Sequence, residues 1–72
     1  MDNSLRNKIL ASNIKAERYR KGLTQAQLSE LINVSISTVS LIERGIQTPS
    51  VYIIHDISKA LKIEISDLLK GI

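Results

Sequence analysis

The segment TQAQLSELINVSISTVSLIE, from Thr24 to Glu43, decides how the rest of the chain is interpreted. Its first four residues, ending at Gln27, form a capping-box pattern, in which the threonine hydroxyl and the glutamine side chain each satisfy a backbone N–H at a helix start. Asn33 tolerates the left-handed conformation that ends many helices, and Ser35 is a favoured N-cap for a following helix. The segment therefore predicts two short helices joined by a tight turn.

The regions on both sides of this segment also show apolar residues at helical spacing. Breaks in the pattern separate them, at Gly22, Asn33, Gly45 and Pro49. We expect a first helix from about residue 4 to 21 and the two helices of the segment, the second over 36–44. Two more are expected, one over 51–61 with Ser50 as its N-cap and one over 65–70. The apolar stripe of the second helix is predicted to be Leu28, Leu31 and Ile32. Because no stretch alternates with period two, the predicted fold class is all-α, with five helices.

The composition is that of one small globular domain. The chain has 72 residues, 43% of them apolar, and no cysteine. This apolar content is too high for a disordered chain, and without cysteine neither a disulfide framework nor a cysteine zinc site can form. No apolar run approaches the roughly 18 residues of a membrane span, and the charged start from Met1 to Arg6 is unlike a signal peptide. We expect a soluble, cytoplasmic protein without a membrane partner.

Positive charge is concentrated in the first two thirds of the chain. The formal net charge is +3, and the stretch from Arg6 to Arg44 contains seven lysines and arginines against three acidic residues. Such a field suits a polyanionic partner such as nucleic acid. The alternative is that a small domain carries net charge for solubility.

The third predicted helix has an unusual outer face. A projection at about 100° per residue places Val39 and Ile42 inward. The opposite side has one charge, two hydroxyls and exposed aliphatic groups, contributed by Ile36, Ser37, Ser40, Leu41 and Arg44. Such a face fits the major groove of B-DNA, where serines hydrogen-bond to bases or phosphates and aliphatic groups meet thymine methyls. The alternative is that Ile36 and Leu41 pack against another part of the protein.

Two charged residues interrupt apolar stripes. Glu43 lies at the edge of the stripe of the third helix, and Arg18 lies one turn after Ile14 on the stripe of the first. Because an unpaired buried carboxylate is costly, we predict a partly buried Arg18–Glu43 ion pair that fixes the orientation of the third helix. The alternative is two independent exposed charges.

Several spaced signals together resemble the lambda-repressor/Cro-type helix-turn-helix family, also called the XRE family. They are Arg18-Tyr19-Arg20-Lys21-Gly22-Leu23-Thr24-Gln25, Leu28-Ser29, Val34-Ser35, Ser40-Leu41-Ile42-Glu43-Arg44-Gly45 and Pro49-Ser50. The resemblance implies a compact five-helix domain over residues 10–69, with the helix-turn-helix at 24–43. Residues 1–9 extend helix 1, and 70–72 form a tail. It also implies binding to double-stranded operator DNA, usually as a homodimer on a palindromic site, and regulation of transcription.

The resemblance further implies roles for individual residues. It assigns base reading to Ile36, Ser37, Ser40 and Leu41, and backbone contacts to Gln25, Ser35, Thr38, Arg44 and Gln47. The chain departs from the family pattern in three places. No glutamine, asparagine or arginine occupies positions 36, 37 and 41, and the loop from Ile46 to Thr48 has no lysine or arginine. The extension over residues 1–9 has no assigned role.

The C-terminal part is richer in aliphatic residues than the core of a domain this size needs. These residues predict a homodimer interface at Ile53, Ile65, Leu69 and Ile72. The alternative is that most of them close the core.

We also expect no enzyme activity, cofactor, metal or small-molecule substrate, because His55 has no catalytic or metal-ligand residues near it in sequence. The rival function is a protein-interaction module on the same fold, and a regulatory protein partner is a further expectation.

Overall fold

A computed structural model describes residues 3–72 and shows five α-helices in that range. The helices are α1 (Asn3–Arg20), α2 (Gln25–Leu31), α3 (Ile36–Glu43), α4 (Val51–Leu61) and α5 (Ile65–Leu68). No strand occurs within residues 3–72, and the prediction of an all-α fold with five helices is confirmed. The extension expected over residues 1–9 is the first part of α1 from Asn3 onward, and its first two residues lie outside the described range.

The helix starts follow the predicted caps. Thr24 Oγ1 accepts a hydrogen bond from Gln27 N at 3.0 Å, and Thr24 N donates to Gln27 Oε1 at 2.8 Å, which completes the capping box of α2. Ser35 caps α3 by accepting from Thr38 N at 3.1 Å, and Ser50 caps α4 by accepting from Ile53 N at 3.2 Å. Three of the helix starts are therefore determined by local sequence.

The helix ends use left-handed residues. Gly22, Asn33 and Gly45 have φ values of 69°, 57° and 73° and follow α1, α2 and α3, as predicted. At Gly45 the chain closes a Schellman turn, in which Gly45 N donates to Ile42 O and Ile46 N donates to Leu41 O, at 3.1 and 3.0 Å. The end of α4 is different, since Lys62 takes this conformation at φ 56°.

The core receives buried aliphatic side chains from all five helices. They are Leu10, Ile14, Leu28, Ile32, Val39, Ile42, Ile57, Leu61 and Leu68. The predicted burial of Leu31 is wrong, because the residue is 59% exposed. The buried arc of α2 runs through Leu28, Ser29 and Ile32, so its centre lies about 110° away from Leu31 around the helix.

The C-terminal segment is attached to α1 by an asparagine. Asn13 Nδ2 donates to Leu68 O at 2.9 Å and to Lys70 O at 2.8 Å. The chain turns at this point, and α5 ends at Leu68 instead of continuing to residue 70 as predicted. This attachment positions α5 beside α1, which also packs against α3.

Candidate nucleic-acid interface

α3 is held from its inner side by a buried ion pair with α1. Arg18 Nε donates to Glu43 Oε2 at 2.7 Å, and Arg18 Nη2 donates to Glu43 Oε1 at 2.8 Å. The two side chains are only 6% and 1% exposed. This two-pronged geometry is the strong form of an arginine–carboxylate contact, and it fixes α3 in position as well as in rotation about its axis.

The same arginine also organises the entry to α2. Arg18 Nη1 donates to Leu23 O at 2.8 Å, and the guanidinium carbon lies 4.6 Å from the centroid of the Tyr19 ring, a cation–π distance. Hydrogen bonding to Glu43 raises the pKa of Arg18, although burial acts in the opposite direction. Because the shift is upward, the stability that depends on the charged guanidinium is lost as the pH rises through the folded-state pKa of Arg18, in strongly alkaline solution.

Gln25, predicted as a backbone contact, has a structural partner that sequence reasoning missed. Its Nε2 donates to Glu43 Oε1 at 3.2 Å, so α2, α1 and α3 meet at one carboxylate. The amide keeps a second N–H and its oxygen for another ligand. No local pattern indicates this contact, because Gln25 and Glu43 are separated by two helix boundaries.

The outer face of α3 is open along its first turn. Ile36 is 50% exposed, Ser37 is exposed, and Ser40 and Leu41 are half-buried. Val39, Ile42 and Glu43 are buried on the other side, as the projection predicted. The four residues predicted to read bases therefore lie on one side of a helix whose opposite side is fixed, with Ile36 and Ser37 more accessible than Ser40 and Leu41.

The residues predicted as backbone contacts lie at the two ends of α3. At its start, the hydroxyls of Ser35 and Thr38 are hydrogen-bonded to each other at 2.9 Å. At its end, Arg44 and Gln47 are exposed, and Gln47 N donates to Leu41 O at 3.2 Å. The backbone after α3 is therefore ordered by the helix itself, and the side chains of Arg44 and Gln47 extend outward from it.

The residues predicted for a dimer interface divide into two groups. Ile53 is half-buried and packs against the core, which agrees with the alternative that such residues close the core. Ile65, Leu69 and Ile72 are 36%, 42% and 45% exposed. Val51 and Tyr52, in the first turn of α4, are also strongly exposed, although they were not among the residues predicted for the interface.

Residues 3–72 contain no group of three or more His, Asp or Glu side chains arranged to hold a metal ion. None of the helices described in this range is both long and apolar enough to cross a membrane.

Sequence comparison places the chain among transcriptional regulators. A helix-turn-helix family model, HTH_3, matches residues 14–68. An uncharacterized HTH-type transcriptional regulator of Methanothermobacter thermautotrophicus is 38% identical over 48 residues, which cover 67% of this chain and 70% of that protein. The HTH-type transcriptional regulator YazB of Bacillus subtilis is 38% identical over 55 residues, 76% of this chain and 80% of YazB.

Solved structures show the same arrangement of helices. The restriction-modification controller protein C.AhdI of Aeromonas hydrophila is 31% identical, with a TM-score of 0.83 over 86% of this chain and 94% of that chain. The clp gene regulator ClgR of Corynebacterium glutamicum is 28% identical, with a TM-score of 0.85 over 88% of this chain and 67% of that chain. The resemblance stated from the sequence is confirmed, and the protein belongs to the HTH_3 helix-turn-helix family of transcriptional regulators.

Proposed function

We propose that the protein is a sequence-specific regulator that inserts α3 into the major groove of double-stranded operator DNA. One observation carries the proposal: the buried Arg18–Glu43 pair fixes the inner side of α3, while Ile36 and Ser37 stay open on its outer side. A helix about 10–12 Å wide fits a major groove about 12 Å wide. A fixed helix with an open face can place short side chains reproducibly against base edges.

The outer face of α3 suits a particular kind of base reading. Ser37 and Ser40 have hydroxyls that hydrogen-bond to base edges, whereas Ile36 and Leu41 have methyl groups that contact thymine methyls. None of these side chains makes a bidentate contact to guanine or adenine. Specificity therefore depends on thymine positions and on sequence-dependent DNA shape.

Contacts to the DNA backbone are proposed at both ends of α3. Ser35 and Thr38 lie at its start, Arg44 and Gln47 lie at its end, and Gln25, the first residue of α2, lies beside Glu43. A free amide N–H on Gln25 and the exposed guanidinium of Arg44 are suitable donors to phosphate. These contacts set the register of α3 in the groove without reading sequence.

We propose that the protein binds its operator as a homodimer and that it does so in the cytoplasm. Ile65, Leu69 and Ile72 form its interface, since they are exposed aliphatic residues near the C-terminus. Two-fold symmetry would place the two copies of α3 about 34 Å apart, on half-sites one helical turn apart in a palindrome. Ile53 contributes less, because it already packs against the core.

The experiment selects binding sites from a random duplex library and then measures the affinity for the selected duplexes by fluorescence anisotropy at 50 and 200 mM salt. We expect a short two-fold-symmetric site and an affinity loss on the order of 10³-fold or more over this salt range. Two variants separate the roles of the side chains. Leu41→Ala should change the base preference of the protein. Arg44→Ala should weaken binding to all duplexes alike and should lower the slope of log K against log salt by about 1, the contribution of one phosphate contact. An unenriched pool would contradict the proposal.

A second function is favoured by one feature of α3. Its outer face has a half-exposed isoleucine and no amide or basic side chain between Ile36 and Glu43. An apolar protein contact through Ile36 and Leu41 would bury this face equally well. Binding to a protein partner through this face would change little between 50 and 200 mM salt, in contrast to DNA binding.

A further inference from the structure

The turn that follows α3 packs against the N-terminal part of α1. A Cβ atom at Gly45 would lie 3.4 Å from Lys8 Cγ, 3.6 Å from Lys8 Cα and 3.8 Å from Asn7 O. The Cα and Cγ atoms of Lys8 therefore lie beside Gly45, the first residue of the loop over 45–48, and Lys8 itself is exposed. This loop has no lysine or arginine of its own, so Lys8 places a cation where the loop lacks one.

A second lysine lies on the same side of α1. Lys15 follows Lys8 by seven residues, which is close to two full turns, so the two side chains leave the helix in nearly the same direction. Lys15 lines an open groove together with Gln25 and Ile36. Lys8 and Lys15 thus border the proposed DNA interface at its two ends, one beside the loop after α3 and the other beside the start of α3.

The charges around these lysines leave them available. In the described part of the chain, Glu43 is paired with Arg18, and Glu17 is paired with Arg20. Among residues 3–72, neither Lys8 nor Lys15 forms an ion pair, and Arg44 forms none either. The acidic groups of α1 and α3 are therefore already paired, and Lys8, Lys15 and Arg44 are left as unpaired cations on and beside these two helices.

We propose that Lys8 and Lys15 form a row of DNA-backbone contacts on α1, which binds phosphates of the same duplex that receives α3. The inference rests on the proposed function, because it requires α3 to lie in the major groove. The two lysines are about 10.5 Å apart along α1, and one strand has a phosphate every 3.4 Å or so of helix axis. The row therefore spans about three phosphates. Because Lys8 belongs to the extension over residues 1–9, the proposal gives this extension a role in DNA binding.

The test measures the salt dependence of duplex binding for Lys8→Gln, Lys15→Gln and the double variant. Glutamine keeps the Cβ and Cγ atoms that pack near Gly45, so the fold is preserved, and thermal unfolding of each variant checks this. Lys59→Gln is the matched control. It removes the same charge from an exposed lysine on α4, which also forms no ion pair within residues 3–72. Lys8→Arg keeps the charge and should keep the wild-type slope.

Each single variant should lower the slope of log K against log salt by about 0.9, and the double variant by about 1.8. At 0.1 M salt this corresponds to an affinity loss of roughly eightfold for each lysine, on operator and scrambled duplex alike. Unchanged slopes in the double variant would overturn the inference while leaving the proposed function intact. An equal decrease in Lys59→Gln would also overturn it, because net charge alone would then explain the effect. Absence of duplex binding by the wild-type protein would overturn both proposals.

Discussion

The segment around α3 and the segment from α4 to the C-terminus are stabilised in different ways. α3 is attached to α1 by a buried ion pair and ends at a glycine suited to its left-handed conformation. The C-terminal segment contains a strained lysine at position 62. It is attached to α1 by an asparagine that binds two backbone carbonyls, and it exposes aliphatic side chains. The element proposed to enter DNA is therefore fixed by specific contacts, whereas the segment proposed to form a dimer has apolar surface that is not covered within the monomer.

The largest expected effect is at the ion pair. Arg18→Met leaves Glu43 buried without its main partner, so we expect the free energy of unfolding to fall by about 3–5 kcal/mol. Urea denaturation followed by circular dichroism measures this loss. The double variant Arg18→Met with Glu43→Leu is the control, and it should recover most of the stability, because no buried charge is left unpaired. A loss below about 1 kcal/mol for the single variant would mean that the pair behaves as an exposed one.

The end of α3 gives the next largest effect. Gly45→Ala should lower the free energy of unfolding by about 1–2 kcal/mol, because alanine is strained at a φ of 73°. Gly22→Ala is a matched control. Its φ is 69°, but an added Cβ there would meet nothing within 4 Å, whereas at Gly45 it would meet Lys8. Because 3.4 Å is an ordinary van der Waals distance, we expect similar losses for the two variants in urea denaturation, and a markedly larger loss at Gly45 would mean that the turn cannot accommodate a Cβ atom beside Lys8.

The end of α4 should respond in the opposite direction. Lys62 has a φ of 56°, so Lys62→Gly removes strain and should raise the free energy of unfolding by about 0.5–1 kcal/mol, after the added freedom of the unfolded chain is allowed for. Lys59→Gly, inside α4, is the control and should destabilise the protein by a similar amount. Thermal unfolding by calorimetry distinguishes the two, and destabilisation by Lys62→Gly would contradict the strain assigned to this residue.

The smallest effect on folding is expected at the proposed dimer interface. Leu69→Ser should change monomer stability by no more than about 0.5 kcal/mol, because the side chain is substantially exposed. Its effect should instead appear in sedimentation velocity as weaker self-association. Leu31→Ser serves as the comparison, since Leu31 is also exposed but lies on α2. If Leu31→Ser weakened association and Leu69→Ser did not, the interface would have to be moved to the α2 side of the molecule.

The local elements of the fold were predictable because their causes lie within a few residues. The caps at Thr24, Ser35 and Ser50 bind backbone groups three residues away. The left-handed residues at Gly22, Asn33 and Gly45 follow from the small number of side chains that tolerate this conformation. The Arg18–Glu43 pair was also predictable, although it is distant in sequence, because each residue places a charge on an otherwise apolar stripe.

The remaining features depend on how the helices pack. No periodicity identifies the bond from Gln25 to Glu43, the attachment of Asn13 to the carbonyls of Leu68 and Lys70, or the contact of Lys8 with Gly45, because each joins segments that only the fold brings together. Packing also decided which side of α2 is buried and so left Leu31 exposed. The sequence alone determined the five helices, the ends of α1 to α4 to within two residues, and the character of the outer face of α3. The tertiary structure decided which charges are paired and which face outward, because pairing depends on distances between helices.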